Sequence, residues 1–347
     1  MQIFKKNFGK VNGTDVQLFT LQNDKGLVIK LTNYGGIVTS IKTPDNKGKY
    51  QNVVLGFDKL EDYLSKAYLE SYPCFGALIG RYGNRIAKGK FSLDGNDYEL
   101  EINHPPNHLH GGFKGFDKTI WNAKIIDNEG IVGVSLTYLS KDGEGGYPGN
   151  LKVKVVYSLT ENNKFIIEYF AETDKATPIN LTHHSYFNLS GERIVLDHQL
   201  QLNSGDINEV DAELIPTGKM LTVENTPFDF RKIKALKKDF DQLENGYDNN
   251  YTLNNEEGNF IKAGELYHND TGRLMEIFTT EVGIQLYTGK FIPTLTVDNK
   301  QRFGAFSGVA LETQHYPDSP NHTGFPNTIL RPGEKYYHKT VYKFSVR

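Results

Sequence analysis

The sequence predicts an all-β protein, built as one large antiparallel β-sandwich with a few short helices. Three observations support this fold class. Runs of alternating apolar and polar residues recur along the chain, turn-forming residues separate them, and 34 Gly accompany 20 Tyr and 21 Phe but only 3 Met. This composition is typical of short strands joined by turns. Strand patterns dominate without the alternation of strand and helix that a doubly wound sheet requires.

Three segments have the pattern of β-hairpins. In GKFSLDGNDYEL, Asp94-Gly95 lies between two alternating runs, and this dipeptide supplies the positive φ angles of a tight turn. LKVKVVYSLT and FIIEYFAET are joined by the short connection 161–164 and predict a second hairpin. GRLMEIFTTEVGIQLYTG predicts a third, which turns near residues 281–283. Further strands are predicted in GLVIKLTNYGGIVTSIKT, IVGVSLTYLS, SGVALETQ and KTVYKFSV.

Helical periodicity is sparse, and we expect the two short helices that it indicates to lie in loops. One falls in FDKLEDYLSK and the other near KIKALKKDFDQL. The apolar residues with helical spacing are Leu60, Tyr63 and Leu64, and then Ile233, Leu236, Phe240 and Leu243.

Composition and charge limit the classes of partner. Residues 1–347 are interpreted as one domain, because no linker, low-complexity tract or fixed repeat divides them. A net charge of −3 argues against a nucleic-acid or anionic-membrane surface. No apolar run approaches the roughly 18 residues that span a bilayer, and MQIFKKNFGK lacks the apolar core of a signal peptide.

With Cys74 as the single cysteine, no intramolecular disulfide can form. We therefore expect a cytoplasmic protein.

Five segments combine polar functional residues with glycines or strand ends, where binding and catalytic residues concentrate. They are GRYGNRIAKGKF with Arg81, Asn84 and Arg85; HPPNHLHGG with His104, His108 and His110; NLTHHSYFNLSG with His183 and His184; GYDNNYTL with Asp248; and LETQHYPDSPN with Glu312, Gln314, His315 and Asp318.

The histidines do not form a recognised metal motif. His108 and His110 would share one face of a strand, but Gly-Gly-Phe-Lys-Gly-Phe follows them without a carboxylate. The sequence contains no His-Glu-x-x-His, and one cysteine cannot build a zinc ribbon. We expect no metal.

Nucleophilic and nucleotide chemistry also lack support. Cys74 lies in the apolar run YPCFGALIG, which favours a small buried side chain over a reactive thiol. No Gly-x-Ser-x-Gly elbow or Gly-x-Gly-x-x-Gly in a βαβ unit is present. Carboxylates and imidazoles remain, and these are the groups of general acid–base catalysis.

Seven segments, in order and spread over nearly the whole chain, closely resemble the aldose 1-epimerase family, also called galactose mutarotases. They are NVVLGFDKLEDYL, IGRYGNRIAKGKF, NHLHGGFKGFDKTIW, DGEGGYPGNL, NLTHHSYFNL, GIQLYTG and LETQHYPDSPN. The resemblance implies a single-domain β-sandwich with an open sugar cleft. It also implies interconversion of the α and β anomers of free hexoses such as galactose and glucose, without a cofactor or metal, by a monomer or homodimer.

Site residues follow from this resemblance only where the motifs match. Glu312 of LETQ matches the general base, His184 of the HSYFNL pattern matches the general acid, and His110 of LHGG matches a second catalytic histidine near the ring oxygen. The positions that match sugar-binding residues are Asn84 and Arg85 of GNRI, Asp248 of GYD and Gln285 of IQLYTG.

Three positions depart from the family pattern. His183 stands where Asn is common, Asn249 where His is usual, and Lys290 where Asn is usual. The first bears on which histidine is the general acid, and the other two bear on which sugar is preferred.

Three alternative functions remain open. A glycoside hydrolase would pair Glu312 with Asp248 or Asp318. A hexose-6-phosphate epimerase would need a cationic phosphate pocket, and no additional Arg/Lys cluster accompanies the motifs. A non-catalytic sugar-binding protein would bind aldoses through the same residues without accelerating anomer exchange.

Overall fold

The computed structural model describes residues 1–253, 255, 258–297 and 300–347. In these ranges the named strands pair antiparallel, and most of them belong to three sheets. The largest sheet has nine strands in the spatial order Asn122–Asn128, Ile131–Ser140, Leu151–Thr160, Lys164–Thr173, Tyr336–Val346, Arg273–Thr279, Ile261–Tyr267, Gln199–Leu202 and Lys234–Ala235.

A second sheet of six described strands carries much of the cleft described below. Its spatial order is Tyr186–Phe187, Val309–Gln314, Gly283–Tyr287, Asp248–Thr252, Asp206–Val210 and Pro216–Thr222. A five-stranded meander comprises Gln2–Val11, Thr14–Gln22, Val28–Thr32, Val38–Pro44 and Tyr50–Asn52. Short two-stranded pairs complete the described strands: Ala77–Ile79 with Thr182–His184, Arg85–Ile86 with His108–Leu109, Lys90–Leu93 with Asn96–Glu99, Thr177–Pro178 with Ile329–Leu330, and Leu295–Val297 with Lys300–Phe303.

The core lies between the sheets because their strands alternate buried and outward residues. Along Leu151–Thr160, for example, Leu151, Val153 and Val155 are buried while Lys152 and Lys154 are exposed. One apolar cluster contains residues of all three large sheets. The nine-stranded and six-stranded sheets are also joined by a hydrogen bond of 3.1 Å from Tyr342 Oη to the Leu311 carbonyl. The predicted all-β sandwich is confirmed.

Two predicted hairpins are confirmed and the third is wrong. Asp94-Gly95 joins Lys90–Leu93 to Asn96–Glu99, and both turn residues have positive φ. Leu151–Thr160 pairs with Lys164–Thr173. Arg273–Thr279, however, lies in the nine-stranded sheet and Gly283–Tyr287 in the six-stranded sheet. Residues 280–282 therefore carry the chain from one layer of the sandwich to the other instead of folding it back on itself.

The helices are short and lie in connections. Leu60–Tyr63 and Lys66–Ser71 are α-helical, and the first corresponds to the predicted segment. The second predicted segment forms the 3₁₀ helix Leu236–Gln242. Other 3₁₀ turns are Ala87–Gly89, Phe116–Lys118, Glu144–Gly146 and Ser319–Asn321. Every helix in the described part of the chain is too short or too polar to cross a lipid bilayer.

Candidate active site

All the residues that the sequence predicts for the site lie along one open cleft. The cleft has a volume of about 1170 Å³ and is bordered by the strands Gly283–Tyr287 and Val309–Gln314. Its lining includes Asn84, Arg85, His110, His184, Asp248, Gln285 and Glu312. Because these residues come from distant parts of the sequence, the cleft forms only when the strands assemble.

Strand register places the polar residues of the six-stranded sheet side by side. Gln285 is the direct antiparallel partner of Glu312. Residues directly opposed on such a ladder project their side chains to the same face. Asp248 lies on the next strand, and Gln285 Nε2 donates to Asp248 Oδ1 at 2.7 Å. The base candidate and two sugar-binding candidates therefore share one wall of the cleft.

His184 and Glu312 form the pair at the centre of the cleft. His184 Nε2 lies 3.6 Å from Glu312 Oε1, and the two residues are only 5% and 2% exposed. His184 comes from the strand Thr182–His184, which pairs with Ala77–Ile79. An imidazole thus faces a carboxylate from a different strand pair, which is the arrangement that transfer of protons to and from one small substrate requires.

His110 lies beside this pair, with its ring 5.4 Å from that of His184 and nearly perpendicular to it. The backbone N–H of Asn84 donates to His110 Nδ1 at 3.1 Å. His110 and Asn84 both have positive φ, 52° and 65°, an uncommon backbone conformation for residues other than glycine. Non-glycine residues in this region concentrate at functional sites.

A chain of amides connects the walls of the cleft. Asn84 Nδ2 donates to Gln285 Oε1 at 3.2 Å, and Gln285 donates in turn to Asp248. Asn84 Oδ1 accepts from the Arg85 backbone N–H at 2.9 Å. The three predicted sugar-binding side chains Asn84, Gln285 and Asp248 therefore hold one another in place.

Three buried polar atoms of the predicted site residues lack a hydrogen-bond partner within the described protein: Arg85 Nε, His184 Nδ1 and Glu312 Oε2. Leaving a buried polar atom without a hydrogen bond costs about 1–3 kcal/mol of folding free energy. Native sites therefore keep such atoms where a ligand can pair with them. A donor on Arg85 and an acceptor on Glu312 suit the hydroxyl groups of a sugar, which both donate and accept.

Burial shifts the titration of the catalytic candidates toward their neutral forms. It raises the pKa of Glu312 well above its ordinary value; neighbouring Asp248 adds to the rise and Arg85 opposes it. Burial lowers the pKa of His184 to about 4. It also lowers the pKa of His110, with contributions from His184 and Arg85. The pKa of Asp248 is raised, again mainly by burial.

The departures from the family pattern have distinct locations. His183 points into the core, where its ring meets Tyr157 at 5.8 Å and burial lowers its pKa to about 3. Adjacent strand residues face opposite sides, so His183 and His184 do not compete for the same role. Asn249 lines the cleft beside Asp248. Lys290 places its ammonium 5.5 Å from the centre of the Phe306 ring.

Several polar residues from the same segments have structural roles. Arg81 donates to carbonyl and hydroxyl oxygens of the segments around Ser140 and Pro148. Both ring nitrogens of His108 have partners, the Glu101 carbonyl at 2.6 Å and Tyr147 Oη at 2.7 Å. Asp318 Oδ1 accepts from the Ala87 N–H at 2.9 Å, which supports the chain just after Arg85.

Cys74 and His104 also line the cleft. Burial is the main cause that raises the pKa of the Cys74 thiol, so the thiol stays protonated near neutral pH, as its apolar sequence context predicts. Burial lowers the pKa of His104.

The sequence reasoning missed Tyr186 and two buried groups behind the site. The Tyr186 ring packs 4.8 Å from that of His184, and its position two residues later was a usable strand-period signal. Glu281 and His338 form a cluster with His315 that no single motif contains.

The donor atoms of His110, His184 and Glu312 lie within 4.8 Å of one another, as do those of Glu281, His315 and His338. Either group is close enough to hold a cation. The expectation that the site works without a metal stays a prediction.

Comparison with known proteins identifies the family of the chain. The family model described as aldose 1-epimerase matches residues 17–343. The chain belongs to the aldose 1-epimerase family. It is 43% identical to galactose mutarotase of Homo sapiens over 98% of this chain and 97% of that protein. It is 36% identical to aldose 1-epimerase of Escherichia coli over 96% of each chain.

Solved structures of the family share the fold. Galactose 1-epimerase from Lactobacillus acidophilus superposes with a TM-score of 0.86 at 29% identity, covering 99% of each chain. The aldose epimerase homologue from C. elegans gives 0.85 at 30% identity, covering 94% of this chain and 98% of that chain. Family membership makes the chain an isomerase that interconverts the anomers of an aldose, and the predicted family, fold and activity are confirmed.

Proposed function

We propose that the His184–Glu312 pair catalyses ring opening and closure of a free hexose such as galactose or glucose. Glu312 removes the proton of the C1 hydroxyl while His184 protonates the ring oxygen O5, and the C1–O5 bond breaks. The open aldehyde rotates about C1–C2, and the two groups exchange roles as the ring closes. The approach of His184 Nε2 to within 3.6 Å of Glu312 Oε1 across the cleft carries this proposal.

The pair holds one proton throughout the reaction. It reacts from the state of carboxylate and imidazolium, passes through carboxylic acid and neutral imidazole when the ring is open, and returns. Burial raises the pKa of Glu312 and lowers that of His184, which stabilises the second state relative to the first. With ordinary pKa values, a glutamate and a histidine that share one proton strongly prefer the ionised state. Burial removes this preference, which supports proton transfer in both directions.

His110 is proposed to donate a hydrogen bond to O5. Because its Nδ1 accepts from the Asn84 N–H, the proton of the neutral ring resides on Nε2. Asn84, Arg85, Asp248 and Gln285 are proposed to bind the remaining hydroxyls. Ionised Asp248 is an acceptor, which suits vicinal hydroxyl groups.

The charges around the cleft favour an uncharged sugar over the alternatives. Glu70, Glu213 and Glu244 line the cleft, where a hexose phosphate would need cations. Lys118 also lines it, but its ammonium is paired with Asp117 Oδ2 at 2.8 Å. A glycoside hydrolase would need two carboxylates flanking a glycosidic bond. The group opposite Glu312 is an imidazole, Asp248 is linked through Gln285 on the same wall, and Asp318 is held by Ala87, Asn321 and His322.

We also propose that residues 1–347 act as one domain, in a monomer or homodimer, and that the protein is cytoplasmic. The single cysteine supports the location, because a protein with one buried cysteine has no need of an oxidising compartment. The net charge of −3 supports the absence of nucleic-acid and membrane partners.

The deciding experiment follows the anomeric NMR signals of freshly dissolved α-galactose at neutral pH. The wild-type protein should speed the approach to equilibrium, and Glu312→Gln should lower kcat by about 10²–10⁴-fold. Glucose 6-phosphate and an oligosaccharide serve as parallel substrates. Faster exchange of the phosphate than of galactose, release of new reducing ends, or full activity in Glu312→Gln would each contradict the proposal.

A further inference from the structure

A buried cluster of one carboxyl group and two imidazoles lies behind the wall of the cleft that carries Glu312. Glu281 Oε2 lies 2.7 Å from His315 Nδ1, and Glu281 Oε1 lies 3.3 Å from His338 Nδ1. The two imidazole rings are 5.1 Å apart and nearly perpendicular. All three residues are at most 5% exposed. We call these three residues the rear cluster.

The rear cluster connects the two layers of the sandwich at the end of the catalytic strand pair. Glu281 lies in the crossing between layers, two residues before the strand Gly283–Tyr287. His315 directly follows the strand Val309–Gln314. His338 belongs to the nine-stranded sheet, on the strand Tyr336–Val346. The strands that carry Gln285 and Glu312 are thus tied to each other and to the opposite sheet.

Asn180 extends this connection to the other walls of the cleft. Its Oδ1 accepts from the His315 N–H at 3.0 Å, and its Nδ2 donates to the Gly83 carbonyl at 3.1 Å. The Gly83 N–H donates back to the Asn180 carbonyl at 2.7 Å. Gly83 precedes Asn84, and Asn180 lies four residues before His184. The segments that bear the acid, the base and a sugar-binding residue therefore meet at His315 and Asn180.

The chemistry of the cluster favours a role in specifying geometry. Burying a carboxylate between two imidazoles costs the free energy of removing these groups from water. Apolar residues of similar size at the same positions often give an equally stable or more stable protein. The register of a strand, unlike overall stability, must be specified by particular contacts, because a slip of one residue turns every side chain to the opposite face. Such a slip would move Glu312 from the cleft to the side where Thr313 now meets Thr340 at 2.5 Å.

We propose that Glu281, His315 and His338 are positioning residues that hold the Glu312 strand in the place and register that proton transfer requires. The inference rests on the proposed function of Glu312. None of the three residues is among those that line the cleft. Loss of the rear cluster should therefore lower the rate of the chemical step while leaving the affinity for the sugar nearly unchanged, because small misplacements of a reacting group are costly.

Glu281→Gln tests this role, with Glu276→Gln as the matched control. Glu276 also bridges two basic groups, Lys262 Nζ at 3.0 Å and Lys343 Nζ at 2.8 Å, but it lies on the nine-stranded sheet outside the lining of the cleft. Measurements are kcat per folded protein, KM, galactose affinity by calorimetry, the solvent deuterium isotope effect and the unfolding midpoint. His338→Asn is the second variant, used if Glu281→Gln does not fold.

We expect Glu281→Gln to lower kcat by about 10- to 100-fold. The galactose dissociation constant should stay within about two-fold of the wild-type value, and the isotope effect should rise because proton transfer limits the rate. Glu276→Gln should keep wild-type kcat and KM even where its unfolding midpoint falls.

Unchanged kcat in Glu281→Gln, or an equal loss of kcat and sugar affinity, would overturn the positioning role. If the wild-type protein holds a stoichiometric metal ion that Glu281→Gln releases, the rear cluster is a metal site and the positioning role is overturned. Full activity of Glu312→Gln would instead overturn the proposed base, so the two failures are distinguishable.

Discussion

The backbone N–H of Asn84 donates to Nδ1 of His110 at 3.1 Å, and so determines which nitrogen of the neutral His110 ring carries the proton. A backbone donor cannot be removed by a side-chain change at Asn84. The ring therefore presents Nε2–H to the cleft, whatever the rotamer of the Asn84 side chain.

His110→Asn tests the function of that proton. An Asn side-chain oxygen lies near the position of a histidine Nδ1 and can accept from the Asn84 N–H, and Asn tolerates positive φ better than most residues. We expect the unfolding midpoint to be retained and kcat to fall by about 10- to 100-fold, because the donor toward O5 is lost. Wild-type kcat in this variant would mean that His184 alone supplies the proton.

The pH profile should report the His184–Glu312 pair as a unit. The pair works only while it holds one proton. Burial lowers the pKa of His184 to about 4, so a second proton binds only as the pH falls through that value, and the base is then lost. We expect kcat/KM to decline on the acid side with an apparent pKa near 4, measured by NMR between pH 3 and 8. A decline near 6.5, the ordinary histidine value, would contradict this assignment.

Gln285→Met should weaken sugar binding more than the chemical step. The substitution removes both hydrogen bonds of the Gln285 amide and leaves Asn84 Nδ2 and Asp248 Oδ1 without their partner. Loss of about 1–3 kcal/mol predicts a rise of KM by about 5- to 150-fold. Gln314→Met is the control, since Gln314 is buried at the end of the neighbouring strand and contacts Asn250. Equal KM values in the two variants would refute a binding role for Gln285.

Arg81→Lys should destabilise the protein without altering its catalytic residues. The buried guanidinium donates at 2.8–2.9 Å to five oxygens, which include the carbonyls of Ser140, Lys141, Pro148 and Gly149. Lysine cannot reproduce this planar set of donors, so we expect a loss of about 2–4 kcal/mol in unfolding free energy. Urea denaturation measures it. Arg331→Lys, at an exposed pair with Asp94, should leave the urea midpoint nearly unchanged, because solvent screens such a pair.

Local patterns predicted the strands well because alternation is a property of a single segment. They did not predict the layer to which a strand belongs: residues 273–279 and 283–287 alternate like the arms of a hairpin but lie in different sheets. Glu281 lies in the crossing between the two layers and contacts His315 and His338, and no spacing in the sequence connects the three.

The site was more predictable than the layers. Glu312, His184 and His110 lie within recognisable motifs, and the structure brings them to one cleft. His183 and His184 could also be separated by the two-residue period of a strand. The unpaired atoms on Arg85 and Glu312 could not be anticipated, because they depend on what each side chain fails to reach after folding.

The wide separation of Asn84 and Glu312 in the sequence makes the cleft a late product of folding. Contacts between remote segments close large loops and form slowly. Recovery of anomer exchange during refolding should therefore coincide with the slowest structural phase. Catalysis in this protein reports the completion of the whole sandwich.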